Sequence, residues 1–126
     1  MKILLSVALG GAIGASGRYL VGSYVTTWFG IGTPWPTFSV NILGSFVLGV
    51  FVAVAALVWS PSEQLRAFIV VGFLGGFTTF SAFSLDVVLL AERGRLETAA
   101  IYAVASVVLS IGALFAGLRL TRWILA

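Results

Sequence analysis

Apolar runs long enough to cross a lipid bilayer occupy most of this 126-residue chain. A helix needs about 20 mainly apolar residues to cross the hydrocarbon core. Four runs reach that length, over residues 3–29, 38–59, 65–90 and 98–123. Hydrophobic residues make up 60% of the chain and charged residues 9%, whereas soluble domains carry about 25% charged residues. The sequence therefore predicts an all-α membrane protein, with one four-helix transmembrane domain over residues 1–126.

The segments between the runs have the composition of turns. Residues 30–36 contain two glycines and two prolines, and residues 92–97 form a charged loop. Ser60 and Ser62 are candidate caps for the third helix. The first residues resemble a signal peptide, but the apolar run continues far past a cleavage site, so we expect a retained span. All four tryptophans fall at or near span ends, where indole favours the headgroup layer; they are Trp28, Trp35, Trp59 and Trp123.

Residues 72–84 are the most unusual part of the third run. The adjacent glycines Gly75 and Gly76 weaken a helix, and four hydroxyl side chains follow at once. A broken helix at membrane depth is tolerated only where protein or a polar cavity surrounds it. We therefore expect the third helix to break near its middle, and we expect a small solute to interact with the protein there.

Each polar side chain deep in the other runs has two interpretations. Asn41 needs hydrogen-bond partners in hydrocarbon, and these are either another helix or a solute. Tyr102, Ser106 and Ser110 recur every four residues, so they share one helix face and form a polar track. A serine can instead bond a carbonyl of its own helix.

Four phenylalanines follow one another on the third run. Phe73 and Phe77 are interpreted as packing residues, whereas hydroxyl groups flank Phe80 and Phe83. An aromatic ring has a negative face and a positive edge. The edges of Phe80 and Phe83 can therefore coordinate an anion without binding it tightly.

Two of the charged residues inside the runs, Arg18 and Asp86, need separate interpretation. Arg18 either extends to the interface or supplies positive potential to a vestibule that concentrates anions. Asp86 lies near the end of the third run, and we expect it to pair with an arginine rather than to act in catalysis.

Composition excludes several classes of function. The chain has no cysteine and no histidine and only four acidic residues, so thiolate metal sites, Ser-His pairs and acid-rich proton relays are not expected. No set of side chains suggests an enzyme. The basic residues are scattered, and they form no nucleic-acid patch.

Charge is nearly balanced between the two ends of the predicted bundle. Lys2, Arg66, Arg119 and Arg122 lie on one side, and Arg93 and Arg95 lie on the other. This weak bias would let the chain insert in either orientation, so two copies could pair antiparallel. Four helices alone enclose a polar path poorly, which favours a two-fold dimer. The small-residue pairs Gly10/Gly14 and Ser45/Gly49 could pack helices within one chain or between two.

Three segments together carry a resemblance to a known family. They read GGAIGASGRY at residues 10–19, TFSVNILGSFVLG at residues 37–49 and GFLGGFTTFSAFS at residues 72–84. With the charged turn at residues 92–94, they make the chain similar to the Fluc (CrcB) family of small fluoride channels. The resemblance covers nearly the whole chain, and its third segment is the most specific.

The resemblance implies a passive, fluoride-selective channel that exports cytoplasmic fluoride across the inner membrane. It also implies an antiparallel, dual-topology homodimer with two pores and one structural sodium ion at the dimer axis. The pore residues would be Asn41, Phe80, Phe83, Tyr102, Ser106 and Ser110. Arg18 would lie in a vestibule, and the backbone carbonyls of Gly75 and Thr78 would hold the sodium ion. Ala82 and Asp86 depart from the threonine and glutamate more usual in the family.

Two other functions remain open from the residues. A four-span exporter of the small multidrug type needs a carboxylate in its first span, where this chain has Arg18 instead. A membrane assembly subunit without transport would explain the glycines, but not the combination of Asn41, the hydroxyl track and the phenylalanine pair.

Overall fold

A computed structural model describes all 126 residues as helices joined by short connections. Four helical segments are long and apolar enough to span a membrane, at Lys2–Phe29, Trp35–Leu57, Glu63–Glu92 and Leu96–Leu125. All four predicted runs are confirmed, and each end lies within three residues of the prediction. The protein is therefore an all-helical, multi-pass membrane protein.

The third span differs from the others because it is not one regular α-helix. In chain order the elements are α1 (Lys2–Phe29), α2 (Trp35–Leu57), α3 (Glu63–Arg66), a π-helical stretch (Ala67–Leu74), α4 (Gly75–Phe77), α5 (Phe80–Glu92) and α6 (Leu96–Leu125). A π-helix bonds each N–H to the carbonyl five residues earlier, so it holds more residues per turn than an α-helix. Residues 63–77 form the first half of the third span, and α5 forms the second half.

The predicted break in the third span is confirmed, but its expected cause is wrong. Thr78 and Thr79 have extended backbones, whereas Gly75 and Gly76 are both helical. Gly76 is needed for packing, because a Cβ there would lie 2.8 Å from the Gly11 carbonyl oxygen of α1. The glycines therefore bring two helices together, and the threonines interrupt the helix.

Close backbone contact also fixes the other helix pairs. A Cβ on Gly10 or Gly14 would overlap backbone atoms of the first half of the third span. Gly49 of α2 and Gly117 of α6 meet each other's helix in the same way. The small-residue pairs containing Gly10, Gly14 and Gly49 thus pack helices within one chain.

The connections follow the local sequence. Gly30 and Gly32 turn the chain between α1 and α2 with φ values of 97° and 80°, which side chains rarely adopt. The Ser62 hydroxyl caps α3 by accepting from the Leu65 N–H at 3.2 Å, as predicted. Ser60 caps no helix, because α2 ends at Leu57 and α3 begins at Glu63.

Candidate functional site

The break in the third span is bridged by the side chain of Asn41 from α2. The Asn41 amide nitrogen donates to the Thr79 carbonyl at 3.0 Å, and the Thr79 N–H donates to the Asn41 carbonyl oxygen at 2.7 Å. The Thr79 hydroxyl accepts from the Ala82 N–H at 3.2 Å and so caps α5. Asn41 therefore forms the helix–helix hydrogen bonds that are one of the two interpretations given for it above.

The guanidinium of Arg18 binds the other side of the break. Its Nε donates to the Gly76 carbonyl at 3.1 Å, instead of extending to the interface. A cation near the C-terminal end of a helix is favourable, because the last carbonyls carry partial negative charge. Arg18 thus stabilises the end of the first half of the third span.

A cavity of about 290 Å³ opens beside the break. It brings together five of the six predicted pore residues, namely Asn41, Phe80, Phe83, Ser106 and Ser110. Ser45, Thr78 and Thr79 also line this central cavity, and the sequence analysis did not assign Ser45 or Thr79 to it. Ser45 lies one turn after Asn41, so helical spacing alone could have identified it.

The two phenylalanines of the cavity differ in their surroundings. Their ring centroids lie 5.4 Å apart with the planes inclined by 52°. Phe83 is 8% exposed and packs into the protein, whereas Phe80 is 75% exposed at the cavity mouth. Both rings line the cavity, so a ring edge of each can contact a solute there.

Residues of the polar track on α6 have different surroundings. Ser106 lines the central cavity and is 5% exposed; its buried Oγ makes no hydrogen bond of regular geometry, and the Tyr102 hydroxyl lies close enough to interact with it. Tyr102 lies outside the cavity lining, and its hydroxyl donates to Asp86 Oδ2 at 3.0 Å. Asp86 thus makes its side-chain hydrogen bond with Tyr102 rather than the expected pair with an arginine, and Arg93 shares only a small pocket with it.

A second cavity, of about 400 Å³, also adjoins Thr79. Arg18, Thr37, Thr79 and Ala82 are among the residues that line this arginine cavity. Thr79 borders both cavities, so it forms part of the wall between them. Ala82 contributes no hydroxyl to this wall.

Backbone oxygens at the break are the only candidates here for a cation. Thr78 has φ −89° and ψ 156°, and its carbonyl accepts none of the hydrogen bonds around the break. Gly75 is exposed on the surface of the chain. Sodium prefers oxygen ligands, so these two carbonyls fit such an ion in kind, although one chain supplies too few of them.

The groups at the break could replace the water around a small anion. The side chains of Asn41 and Ser106 place hydrogen-bond donors at the cavity, and the rings of Phe80 and Phe83 add positive edges. The cavity lining contains hydroxyl groups but no ionisable side chain that could act as an acid or base beside them. The arrangement is suited to passage of an anion rather than to covalent chemistry.

Comparisons with known proteins point to the same chemistry. Residues 5–118 match the family described as CrcB-like protein, Camphor Resistance (CrcB). The chain is 56% identical over 122 residues to a protein of Rhodospirillum centenum named fluoride-specific ion channel FluC, with 97% of each chain covered. It is 51% identical over 124 residues to a protein of that name from Allorhizobium ampelinum, covering 98% of this chain and 99% of that one. A third such protein, from Nitrobacter winogradskyi, is 49% identical over 119 residues, which cover 94% of each chain.

Proposed function

This chain belongs to the CrcB-like family, and we propose that it is a channel through which fluoride leaves the cell. The relatives named fluoride-specific ion channel FluC match it over nearly its whole length, which supports fluoride as the transported ion. A channel is not an enzyme, in keeping with the cavity lining. The bacterial inner membrane is the location that a multi-pass export channel requires.

The buried Ser106 hydroxyl, which lacks a regular hydrogen bond within the protein, carries the proposal on the structural side. Moving a small ion from water into a low-dielectric interior costs on the order of 20 kcal/mol if nothing replaces its hydration shell. Ser106 lines the cavity, and its buried Oγ makes no hydrogen bond of regular geometry within the protein, with only the Tyr102 hydroxyl near enough to interact. A buried polar group of this kind costs stability unless something bonds it, and a fluoride ion would accept its hydrogen bond.

The two rings would bind the ion more weakly than the donors do. A conducting site must be favourable enough to enter and weak enough to leave. The edges of Phe80 and Phe83 attract an anion without forming a full hydrogen bond. Together with Asn41 and Ser110, they offer fluoride a sequence of moderate contacts along the cavity.

We propose that the working unit is an antiparallel homodimer with two pores. In a single chain Phe80 is 75% exposed beside an open cavity, so a second protein surface is needed to enclose a polar path away from lipid. The nearly balanced charge at the two ends of the bundle is compatible with either orientation. A closed two-fold pair is the commonest oligomer.

A sodium ion at the dimer axis would use the carbonyls of Gly75 and Thr78 from both copies. The unpartnered Thr78 carbonyl supports this proposal, because it lacks the donor that a helix would supply. When bound, the ion would supply a fixed positive charge near the fluoride path. The chain's own contribution is to hold the oxygens at the break, through Asn41 on Thr79 and Arg18 on Gly76.

Transport would be passive and outward. Hydrogen fluoride enters cells as a neutral molecule and ionises at cytoplasmic pH. An inside-negative potential then favours exit of the anion by about 2.3 kcal/mol per 100 mV. A proton-coupled exporter of the small multidrug type would need a carboxylate in α1, which has none. An assembly subunit without transport would leave the buried donor of Ser106 unexplained.

Efflux from liposomes tests the function directly. Vesicles loaded with potassium fluoride and containing the purified protein should empty when valinomycin removes the counter-charge. Chloride-loaded vesicles should retain their contents under the same conditions. Equal loss of both anions would contradict selectivity, and accumulation driven by an imposed proton gradient would contradict passive conduction.

Linked tandems test the dimer. A tandem with one additional span between two copies holds them antiparallel, and we expect it to conduct fluoride. A tandem that holds the copies parallel should not conduct. Conduction by the parallel tandem alone would reject the antiparallel dimer together with its axial ion.

A further inference from the structure

A small pocket outside the central cavity lies at the end of α5, beside the connection between α1 and α2. Its volume is about 80 Å³, and it is lined by Asp86 and Arg93 together with residues 32–34 of that connection. We call it the end pocket. Arg93 directly follows α5, which ends at Glu92. The proposed pore gives neither the end pocket nor Arg93 a role.

The end pocket continues the polar track of α6. Ser106 lines the central cavity, and the Tyr102 hydroxyl, one helical turn earlier, lies close enough to interact with it. That hydroxyl donates to Asp86 Oδ2 at 3.0 Å, and Asp86 lines the end pocket. Polar side chains therefore follow one another from the central cavity to the end pocket, which marks the place where an ion that follows this track would meet the water outside.

Two sources of negative charge oppose an anion at the end pocket. The first is the carboxylate of Asp86, which is half-buried, and like charges repel more strongly near a protein than in bulk water. The second is the C-terminal end of α5, whose last carbonyls carry partial negative charge. Fluoride can pass quickly by this route only if a positive charge offsets them.

The guanidinium of Arg93 supplies a positive charge at this point. Its Nη1 donates to the Gly32 carbonyl at 3.3 Å, which ties the side chain to the connection that borders the pocket. The guanidinium thus bonds a neutral carbonyl, and the Asp86 carboxylate bonds the neutral hydroxyl of Tyr102. Because neither bond neutralises a charge, both charges act on an ion in the pocket.

We propose that Arg93 offsets the charge of Asp86 and so sets the rate at which fluoride passes the end pocket. A positive charge at a narrow opening raises the local concentration of an anion there. The Gly32 carbonyl is the positioning contact, because it holds a long, flexible side chain at the pocket. This inference rests on the proposed function, since it adds a residue to the same path.

Arg95 is a matched control in the same charged loop. Both arginines are exposed, but Arg95 does not line the end pocket. Arg95→Gln therefore removes an equal charge at a nearby position outside the pocket. Arg93→Gln removes the charge and keeps an amide N–H that can donate to the Gly32 carbonyl, whereas Arg93→Lys keeps the charge.

Fluoride efflux from liposomes is compared at low and high ionic strength. The screening length is about 30 Å in 0.01 M salt and about 3 Å in 1 M salt. At the low ionic strength, Arg93→Gln should slow efflux about fivefold, and Arg93→Lys and Arg95→Gln should stay within about twofold of the wild type. With potassium gluconate added to about 1 M, the effect of Arg93→Gln should fall below about twofold. Equal slowing at both ionic strengths would indicate a structural role, and equal slowing by Arg95→Gln would indicate a general effect of charge; either result would overturn the proposal.

A double-mutant cycle tests whether Arg93 acts against the charge of Asp86. Asp86→Asn removes that charge and keeps an oxygen that can accept from Tyr102. In this background, Arg93→Gln should change efflux by less than about twofold, and an undiminished effect would overturn the proposal. A wild-type protein that passes no fluoride would reject the proposed function instead. Wild-type conduction that Arg93→Gln leaves unchanged at low ionic strength would reject only the role of Arg93.

Discussion

The two halves of the third span are attached to the rest of the protein by different kinds of contact. The first half, residues 63–77, lies against α1 through backbone atoms, with Gly10, Gly14 and Gly76 at the closest points. The second half, α5, is attached through side chains, since Phe83 packs on Tyr102 and the Thr79 hydroxyl caps the helix. Backbone contact fixes position with little freedom, whereas side-chain contact leaves groups that can face a solute. The comparison suggests that one half provides the rigid support and the other provides the binding surface.

The largest expected effect comes from a methyl group between α1 and the first half. Gly10→Ala should lower the free energy of unfolding by about 3 kcal/mol, because its Cβ overlaps the backbone of Phe68 and Phe73. Gly11→Ala is the matched control, since its Cβ meets nothing closer than the Gly72 carbonyl at 4.0 Å. Denaturant unfolding in mixed micelles measures both variants. Equal losses would show that the first half is not held by close backbone contact.

Asn41 of α2 holds the break between the two halves by its bonds to Thr79. Asn41→Leu leaves a donor and an acceptor of Thr79 without partners, so we expect a loss of about 2 kcal/mol in unfolding free energy. Ser45→Ala lies one turn away in the same cavity and makes no bond across the break, so its loss should stay within about 0.5 kcal/mol. Comparable losses would mean that the break does not depend on Asn41.

The two phenylalanines of α5 separate packing from ion contact. Phe83→Ile should lower unfolding free energy by about 1.5 kcal/mol because Phe83 is buried, and Phe80→Ile should lower it much less. Both variants should slow fluoride efflux about tenfold because each removes a ring edge. A tenfold slower rate corresponds to an activation free energy that is higher by about 1.4 kcal/mol. Wild-type efflux in both variants would leave the rings with a packing role only.

The smallest expected effects concern the hydroxyl groups of α5. Thr79→Ala removes the cap on the Ala82 N–H and should cost about 1 kcal/mol. Ser84→Ala removes only a bond to the Phe80 carbonyl of its own helix, so its cost should be below about 0.5 kcal/mol. Thermal unfolding with oligomeric state monitored by size exclusion measures both. A larger cost for Ser84→Ala would contradict the view that α5 is held at its capped end.

Much of the fold could be predicted because it depends on composition along the chain. Apolar length gives the four spans, and the cluster of glycines and hydroxyl groups marks the third as broken. Helical spacing brings Ser106 and Ser110 to the same cavity as Asn41. These features are local, so they can be read from sequence without knowing which helices are neighbours.

What could not be predicted depends on which turns of different helices lie opposite each other. The Asn41–Thr79 pair joins residues 38 positions apart, and the Tyr102–Asp86 bond joins two helices that hydropathy alone does not align. For the same reason the adjacent glycines at residues 75 and 76 predict a helix break from sequence, although Gly76 is instead a packing contact with α1. The second copy, the two pores and the sodium ion stay predictions.

The π-helical stretch at Ala67–Leu74 has a consequence for how this chain is compared with its relatives. Each π-type bond encloses one residue more than an α-type bond, so the stretch absorbs extra chain without lengthening the span in proportion. Insertion of a residue into an ancestral α-helix would produce such a stretch and leave the break in place. A one-residue gap at these positions in an alignment is therefore compatible with an unchanged pore. Thr78 and Phe80 should be aligned with residues of the relatives by their distance from the break.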